Sequence, residues 1–216
     1  MNRRTLIKQV LGFAALMALP LGALAAPALT LGKNYQQIHP AQPGESAGKI
    51  EVIEFFSYAC PHCFEFEGKI SAWSKTLPKD VVFKRVPISF NRESWATMGK
   101  VYLSLEAMGQ TDRLNALVFS ALHNERVNLT DETIRNGWLK KNGVDVARFN
   151  DTFRSFAIAS HMQRATQLAA TYKIDGVPTM VIGGKFQTSP AMNDSFDTTL
   201  TVADQLIAKA RATRGK

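Results

Sequence analysis

Cys60-Pro61-His62-Cys63 holds both cysteines of this 216-residue chain. Two thiols at i and i+3 can close a small disulfide ring on one turn of helix and open it again, which is the chemistry of a redox catalyst. A disulfide framework would need several cysteines spread along the chain. Structural zinc needs four ligands, and Cys60, Cys63 and His62 do not make up that number. A c-type haem site needs His directly after the second cysteine, where this chain has Phe64. An inert structural disulfide stays open, although so short a ring stabilises little. No metal site and no organic cofactor is expected. The redox group is the Cys60–Cys63 disulfide itself.

The thiolate, not the thiol, attacks a disulfide. If Cys60 stands where a strand feeds a helix, orphan backbone N–H groups and the positive end of the helix dipole face its sulfur. The dipole contributes about 0.3–1 kcal/mol, or ~2 when partly buried, so alone it lowers a thiol pKa by at most about one and a half units. A more acidic Cys60 needs direct hydrogen bonds from the N–H groups of His62 and Cys63, with electrostatic help from the His62 ring. Pro61 donates no hydrogen bond, but its fixed φ suits a first helical turn. Stabilising the reduced form as a thiolate makes the disulfide form a strong oxidant. Cys60 is then the exposed, attacking sulfur. Cys63, one turn deeper, keeps a higher pKa and resolves the mixed disulfide.

The surrounding elements must place the motif at that junction. Glu51-Val52-Ile53-Glu54-Phe55-Phe56-Ser57 reads as a buried central strand, β-branched and aromatic with little alternation. A helix is expected over residues 60–77, ending before Pro78, and a second strand over 81–86. That β-α-β order implies two parallel strands joined by a right-handed crossover, with the cysteines at the carboxyl end of the first. A short strand over 34–38 and a Pro/Gly/Ser-rich loop over 40–48 precede it.

From residue 94 to 172 the pattern is helical. Trp95, Met98, Tyr102, Leu105 and Met108 recur at helix spacing, and Gly109 closes that helix. Thr111, Thr130 and Asp145 are candidate N-caps of the next three helices, Gly143 a stop, and a long helix spans about 156–172. His123 and His161 fall in this region and read as structural or exposed. Strands return at 179–182 and 185–188 around a Gly183-Gly184 hairpin turn, followed by a helix over 196–212. The chain thus reads as an α/β unit split by a helical insert of about 70 residues, near the lower end of domain size.

The N-terminus reads as an export signal. Arg3, Arg4 and Lys8 precede an apolar run over residues 10–19, then Pro20 and the A-x-A-like Ala23-Leu24-Ala25. Cleavage is expected between Ala25 and Ala26. The alternative is an uncleaved anchor, since residues 10–29 are just long enough to span, but Pro20, Pro27 and the small residues favour cleavage. The paired arginines also resemble a twin-arginine signal. Cleavage leaves 216 − 25 = 191 residues and changes the net charge from +8 to +8 − 3 = +5. The basic residues are scattered with no run of five, so no nucleic-acid partner is expected.

Residues 51–67 (EVIEFFSYACPHCFEFE) resemble the DsbA-type periplasmic thiol:disulfide oxidoreductases. The resemblance continues through Gly176-Val177-Pro178-Thr179 and the Gly-Lys hairpin, and covers essentially the whole mature chain. It implies an α/β, thioredoxin-like fold with an inserted all-helical domain: signal peptide 1–25, first thioredoxin-like part 26–92, helical insert 93–160, second part 161–216. It implies a cis bond before Pro178, with Val177 and Pro178 packed against the redox cysteines and the Val177 backbone pairing with an extended substrate peptide. It makes Glu54, a charge inside an apolar strand, a proton acceptor for Cys63. A buried carboxylate must be protonated or paired. Arg85 is the cation at hand, where the family more often carries Lys. The alternative places Glu54 at a solvated strand edge. The resemblance further implies unfolded exported proteins as substrates, reoxidation by a membrane quinone-linked oxidase of the DsbB type, and a monomer. Two other functions stand against it: a reductase or isomerase on the same fold, and a non-catalytic peptide-binding or chaperone module with an idle disulfide.

Overall fold

The structure, a computed structural model, describes residues 28–213. The expected leader and its cleavage site lie outside the described residues. The core of the molecule is a five-stranded sheet in the order β1-β5-β4-β2-β3: β1 (Gln36–Gln37), β2 (Ile50–Phe56), β3 (Val81–Pro87), β4 (Thr179–Ile182) and β5 (Phe186–Thr188). β2 and β3 are parallel and joined by α1 (Pro61–Ser74), while β4 runs antiparallel to both β2 and β5. Every residue of β2 is buried, Glu51 and Glu54 included, as in a strand covered on both faces.

Strand alternation divides β2 between two layers. Ile50 and Val52 pack with Phe66 and Ile70 of α1 and with Leu206 of α7 (Phe196–Ala212). Ile53 and Phe55 face the opposite layer, against Ala169 and Tyr172. Between β3 and β4 the chain forms the helical insert: α2 (Glu93–Ala107), α3 (Thr111–His123), α4 (Glu132–Lys141), α5 (Val146–Arg154) and α6 (Phe156–Thr171). α6 crosses residues 160–161 and then packs beside β3, so one helix serves both the insert and the sheet layer. It ends at Tyr172, passes through Lys173 at positive φ, and delivers the chain to Val177 and Pro178.

Where the sheet meets the insert, aromatic rings do the packing. Phe56 lies 4.9 Å from Tyr102 and 5.4 Å from Tyr58, and Tyr58 lies 4.9 Å from Phe119, all edge-to-face. Such pairs add about 0.5–1.5 kcal/mol each beyond their burial.

Three expectations about helix ends need correction. α1 stops at Ser74, three residues before Leu77, because Thr76 N–H and Oγ1 both turn back onto the Trp73 carbonyl. Thr111 is the first helical residue of α3 rather than its cap, and Gln110 precedes it without a side-chain cap. α4 is capped by Asp131, whose carboxylate accepts from Ile134 N–H at 2.9 Å, while Thr130 Oγ1 donates to Asn128. Asp145 caps α5 as its sequence position indicated.

Gly183 and Gly184 both have positive φ, the geometry of a type I′ hairpin. A Cβ on Gly184 would also collide with the Gln42 carbonyl oxygen. Gly184→Ala is therefore expected to cost more than about 2 kcal/mol in urea unfolding. Gly109→Ala meets only its own left-handed backbone, with open space around it, and should cost about 1 kcal/mol. Equal losses would show that the contact with Gln42 carries no weight.

Candidate active site

Cys60 occupies the N-cap of α1 with an extended backbone, and Pro61 takes the first helical position. The cysteine pair is in the dithiol form. Both residues are buried, Cys60 at 6% exposure and Cys63 at 1%, so the expectation of an exposed Cys60 is corrected: it is only the less buried of the two. Its Sγ donates to the Val177 carbonyl at 3.4 Å, and the Val177-Pro178 bond is cis. The loop before β4 thus closes over the motif as the resemblance implied. A second cis bond, before Pro40, was not anticipated.

The two thiols are pushed in opposite directions. Cys60 is pulled from 9.0 down to about 6. The largest cause is the Cys63 thiol, which donates to the Cys60 sulfur. The backbone N–H groups of Cys63 and His62 add to it, with a smaller electrostatic contribution from the His62 ring, and together they outweigh burial. His62 itself is exposed, its Nδ1 3.2 Å from Glu65 Oε2, so its charge is screened by solvent. Cys63 is raised well above the ordinary range, chiefly by burial and then by Cys60 and Glu54.

A pKa of about 6 leaves Cys60 roughly nine-tenths ionised at pH 7. Because the folded value lies below the unfolded one, the thiolate stabilises the reduced protein. That contribution is complete above about pH 9 and gone below about pH 6. The melting temperature of the reduced form relative to the oxidised form should therefore fall as pH drops from about 8 to about 5. A difference that stays constant over this window would rule out an acidic Cys60.

Behind the cysteines lies a buried ionic group. Glu54 sits on the same face of β2 as Ile50 and Val52 and is 1% exposed, so the solvated-edge alternative is excluded. Parallel register sets Arg85 of β3 directly opposite, and Arg85 Nε donates to Glu54 Oε2 at 2.7 Å. Arg85 Nη2 reaches Glu67 Oε2 and Ser71 Oγ, both at 3.0 Å. Burial raises the Glu54 pKa and Glu67 adds to this, while Arg85 offsets part of it. Burial alone would weaken the Arg85 charge, but the two carboxylates outweigh it. Glu67 and Ser71 were missed from sequence. The available signal was a charge four residues after Cys63, on the buried stripe of α1 that also carries Phe66 and Ile70.

Beside the motif runs a groove of about 820 Å³, lined by Gly176, Val177, Pro178, Met192 and Phe196 with His62 at its rim. His161 lies outside that groove, in a smaller surface pocket with Arg85 and Arg164. Among the described residues, no cluster of three or more His, Cys, Asp or Glu could hold a metal ion, and no helix is long and apolar enough to cross a membrane.

A C-x-x-C at the start of the first helix of a β-α-β unit, faced by a cis-proline loop, defines the class: a thioredoxin-fold thiol:disulfide oxidoreductase, here with a helical insert between β3 and β4. Comparison with known proteins narrows the class. The family described as DSBA-like thioredoxin domain matches residues 51–201. The thiol:disulfide interchange protein DsbA of Bordetella parapertussis is 41% identical over 208 residues, covering 96% of this chain and 98% of that protein. The protein of that name from Pseudomonas aeruginosa is 38% identical over 214 residues, covering 99% and 100%. The crystal structure of Pseudomonas aeruginosa DsbA superposes with a TM-score of 0.81 at 41% identity, over 87% of this chain and 97% of that one. That of the oxidoreductase DsbA from Xylella fastidiosa gives 0.78 at 30%, over 88% and 100%. This chain belongs to the DsbA family of thiol:disulfide oxidoreductases.

Proposed function

We propose that the protein is a periplasmic dithiol oxidase that transfers its Cys60–Cys63 disulfide to newly exported, unfolded proteins. The observation that carries this direction of transfer is the asymmetry of the pair: an acidic Cys60 at the helix start and a buried Cys63 held as a thiol. The cycle balances as two exchanges. A substrate thiolate attacks the Cys60 sulfur, the Cys60–Cys63 bond breaks, and Cys63 takes up a proton. A second substrate thiolate then attacks the substrate sulfur of the mixed disulfide, releasing Cys60 as a stabilised thiolate. Glu54 is the group that exchanges the Cys63 proton, and Arg85 offsets part of the upward pull that burial exerts on its pKa. His62 and Pro61 shape the first turn that holds the Cys60 charge.

Val177 and Pro178 form the peptide-facing wall. In the disulfide form Cys60 carries no S–H to donate to the Val177 carbonyl, so that oxygen is free for the backbone of an extended substrate. In this reading a membrane quinone-linked oxidase of the DsbB type accepts the two electrons left on the dithiol. Export through the N-terminal leader, cleaved after Ala25, brings the monomeric protein to that compartment.

The test is the redox equilibrium of the cysteine pair against glutathione, together with oxidation of a reduced peptide. The expected result is a poise well to the oxidising side of thioredoxin, with stoichiometric peptide oxidation. A poise near that of thioredoxin would assign a reductase. Failure to oxidise the peptide would leave a binding module with an idle disulfide.

A further inference from the structure

α3 carries Asn115, Phe119 and His123 at positions i, i+4 and i+8, which one helix face presents together. All three meet the segment around the redox motif, and they grip Tyr58 at both ends. The Tyr58 hydroxyl donates to Asn115 Oδ1 at 2.7 Å, its ring stands edge-on to Phe119, and its carbonyl lies 2.8 Å from His123 Nε2. A carbonyl can only accept, so His123 Nε2 carries the proton of that bond. The same imidazole stacks on Phe64, with centroids 4.9 Å apart and planes 8° from parallel. Tyr58 stands two residues before Cys60, and Phe64 directly follows Cys63. One side chain of the insert therefore touches the chain on both flanks of the motif.

We propose that His123 is a positioning residue for the redox motif, acting from the helical insert through Tyr58 and Phe64. The inference rests on the reading of Cys60 and Cys63 as the exchanging pair. The mechanism is geometric. The turn from Ser57 to Cys60 is closed by one backbone hydrogen bond, Cys60 N–H to the Ser57 carbonyl at 3.1 Å. The Tyr58 carbonyl lies inside that turn, and His123 fixes its direction. If the peptide plane after Tyr58 swings, the turn reorients and the Cys60 sulfur moves away from the N–H groups of His62 and Cys63. Hydrogen bonds lose strength steeply with such misalignment. The Phe64 stack holds the other side of the motif, so the first turn of α1 cannot follow the displaced sulfur.

Two substitutions separate the parts. His123→Phe keeps a ring for Phe64 and removes the donor to Tyr58. His123→Gln keeps an N–H at similar reach and removes the stack. The measurements are the redox equilibrium with glutathione and the pH dependence of Cys60 alkylation, neither of which a purely structural loss would move in a folded protein. In His123→Phe the equilibrium should shift roughly three- to ten-fold toward a weaker oxidant, the scale of one lost hydrogen bond, with the alkylation midpoint moving to higher pH. His123→Gln should restore most of both. An equilibrium within two-fold of the unmodified protein in folded His123→Phe would overturn the proposal. Ring 15N shifts of His123 in the unmodified protein give a second test. They should report the Nε2–H tautomer and differ between the dithiol and disulfide forms, and identical shifts in the two forms would overturn the proposal without any variant. A weakly oxidising unmodified protein would instead remove the oxidase reading, and a shift in His123→Phe from that baseline would still support the positioning role.

Discussion

Cys63→Ala should abolish turnover, trap Cys60 in a mixed disulfide when its thiolate attacks a disulfide-bonded peptide and releases a peptide thiolate, and raise the Cys60 pKa. The first two effects follow because Cys60 alone cannot form the disulfide that is donated, and no Cys63 thiol remains to displace a peptide bound to Cys60. The third is specific to this structure. The Cys63 thiol is the largest influence lowering the Cys60 pKa to about 6, ahead of the backbone N–H groups. A hydrogen bond to a charged group contributes about 1.5–3 kcal/mol, which corresponds to about one to two pKa units. The midpoint of Cys60 alkylation should rise by that amount in Cys63→Ala. Cys63→Ser keeps a hydroxyl donor in place, so its midpoint should stay near the unmodified value although turnover is equally lost. Mass spectrometry reads the trapped species and alkylation against pH reads the thiolate. Equal midpoints in the two variants would show that the side-chain donor is not what makes Cys60 acidic.

Arg85→Met is expected to be the most damaging single substitution for stability. It leaves Glu54 and Glu67 in the interior without the guanidinium they share. Removing one partner of a buried ionic group costs about 3–5 kcal/mol, whereas replacing the whole group by neutral side chains can be nearly neutral. The triple variant Glu54→Gln, Glu67→Gln, Arg85→Met should therefore recover most of the loss in urea unfolding. The loss in Arg85→Met should also shrink as pH falls, because the orphaned carboxylates then take up protons and no longer carry buried charge. Arg85→Lys should fall between, since an ammonium cannot reproduce the fork that reaches Glu54, Glu67 and Ser71 together. Glu54→Gln alone separates chemistry from stability. It should slow exchange at Cys63 and leave Cys60 alkylation unchanged, and an unaltered exchange rate would remove the proton role of Glu54.

Sequence pattern located the strands and helices because their signals are local. β2 is rich in β-branched and aromatic residues with little alternation, Gly183-Gly184 is forced by positive φ, and the stripe from Trp95 to Met108 repeats at helical period. Helix ends were less legible where two capping residues stand side by side. Asp131 displaced Thr130 because its carboxylate accepts a charge-assisted bond from the first turn. At the site, the N–H donors to Cys60 could be read from its place before a helix, and parallel register made Arg85 the natural partner of Glu54. The Cys63 thiol as the leading donor depends on a rotamer that no spacing encodes. The contact of His123 with Tyr58 joins residues 65 apart, so it exists only once the insert has docked.

The course of α6 has a mechanical consequence. The helix starts in the insert and ends just before Val177 and Pro178, while α3 of the same insert holds the chain on either side of the cysteines. The two walls of the groove are thus anchored to one helical body through separate attachment points. The spacing of the two walls is therefore set by how that one body packs, through α6 at the proline wall and α3 at the cysteine wall. Insertion between β3 and β4 leaves the sheet intact while bracing both walls of the groove.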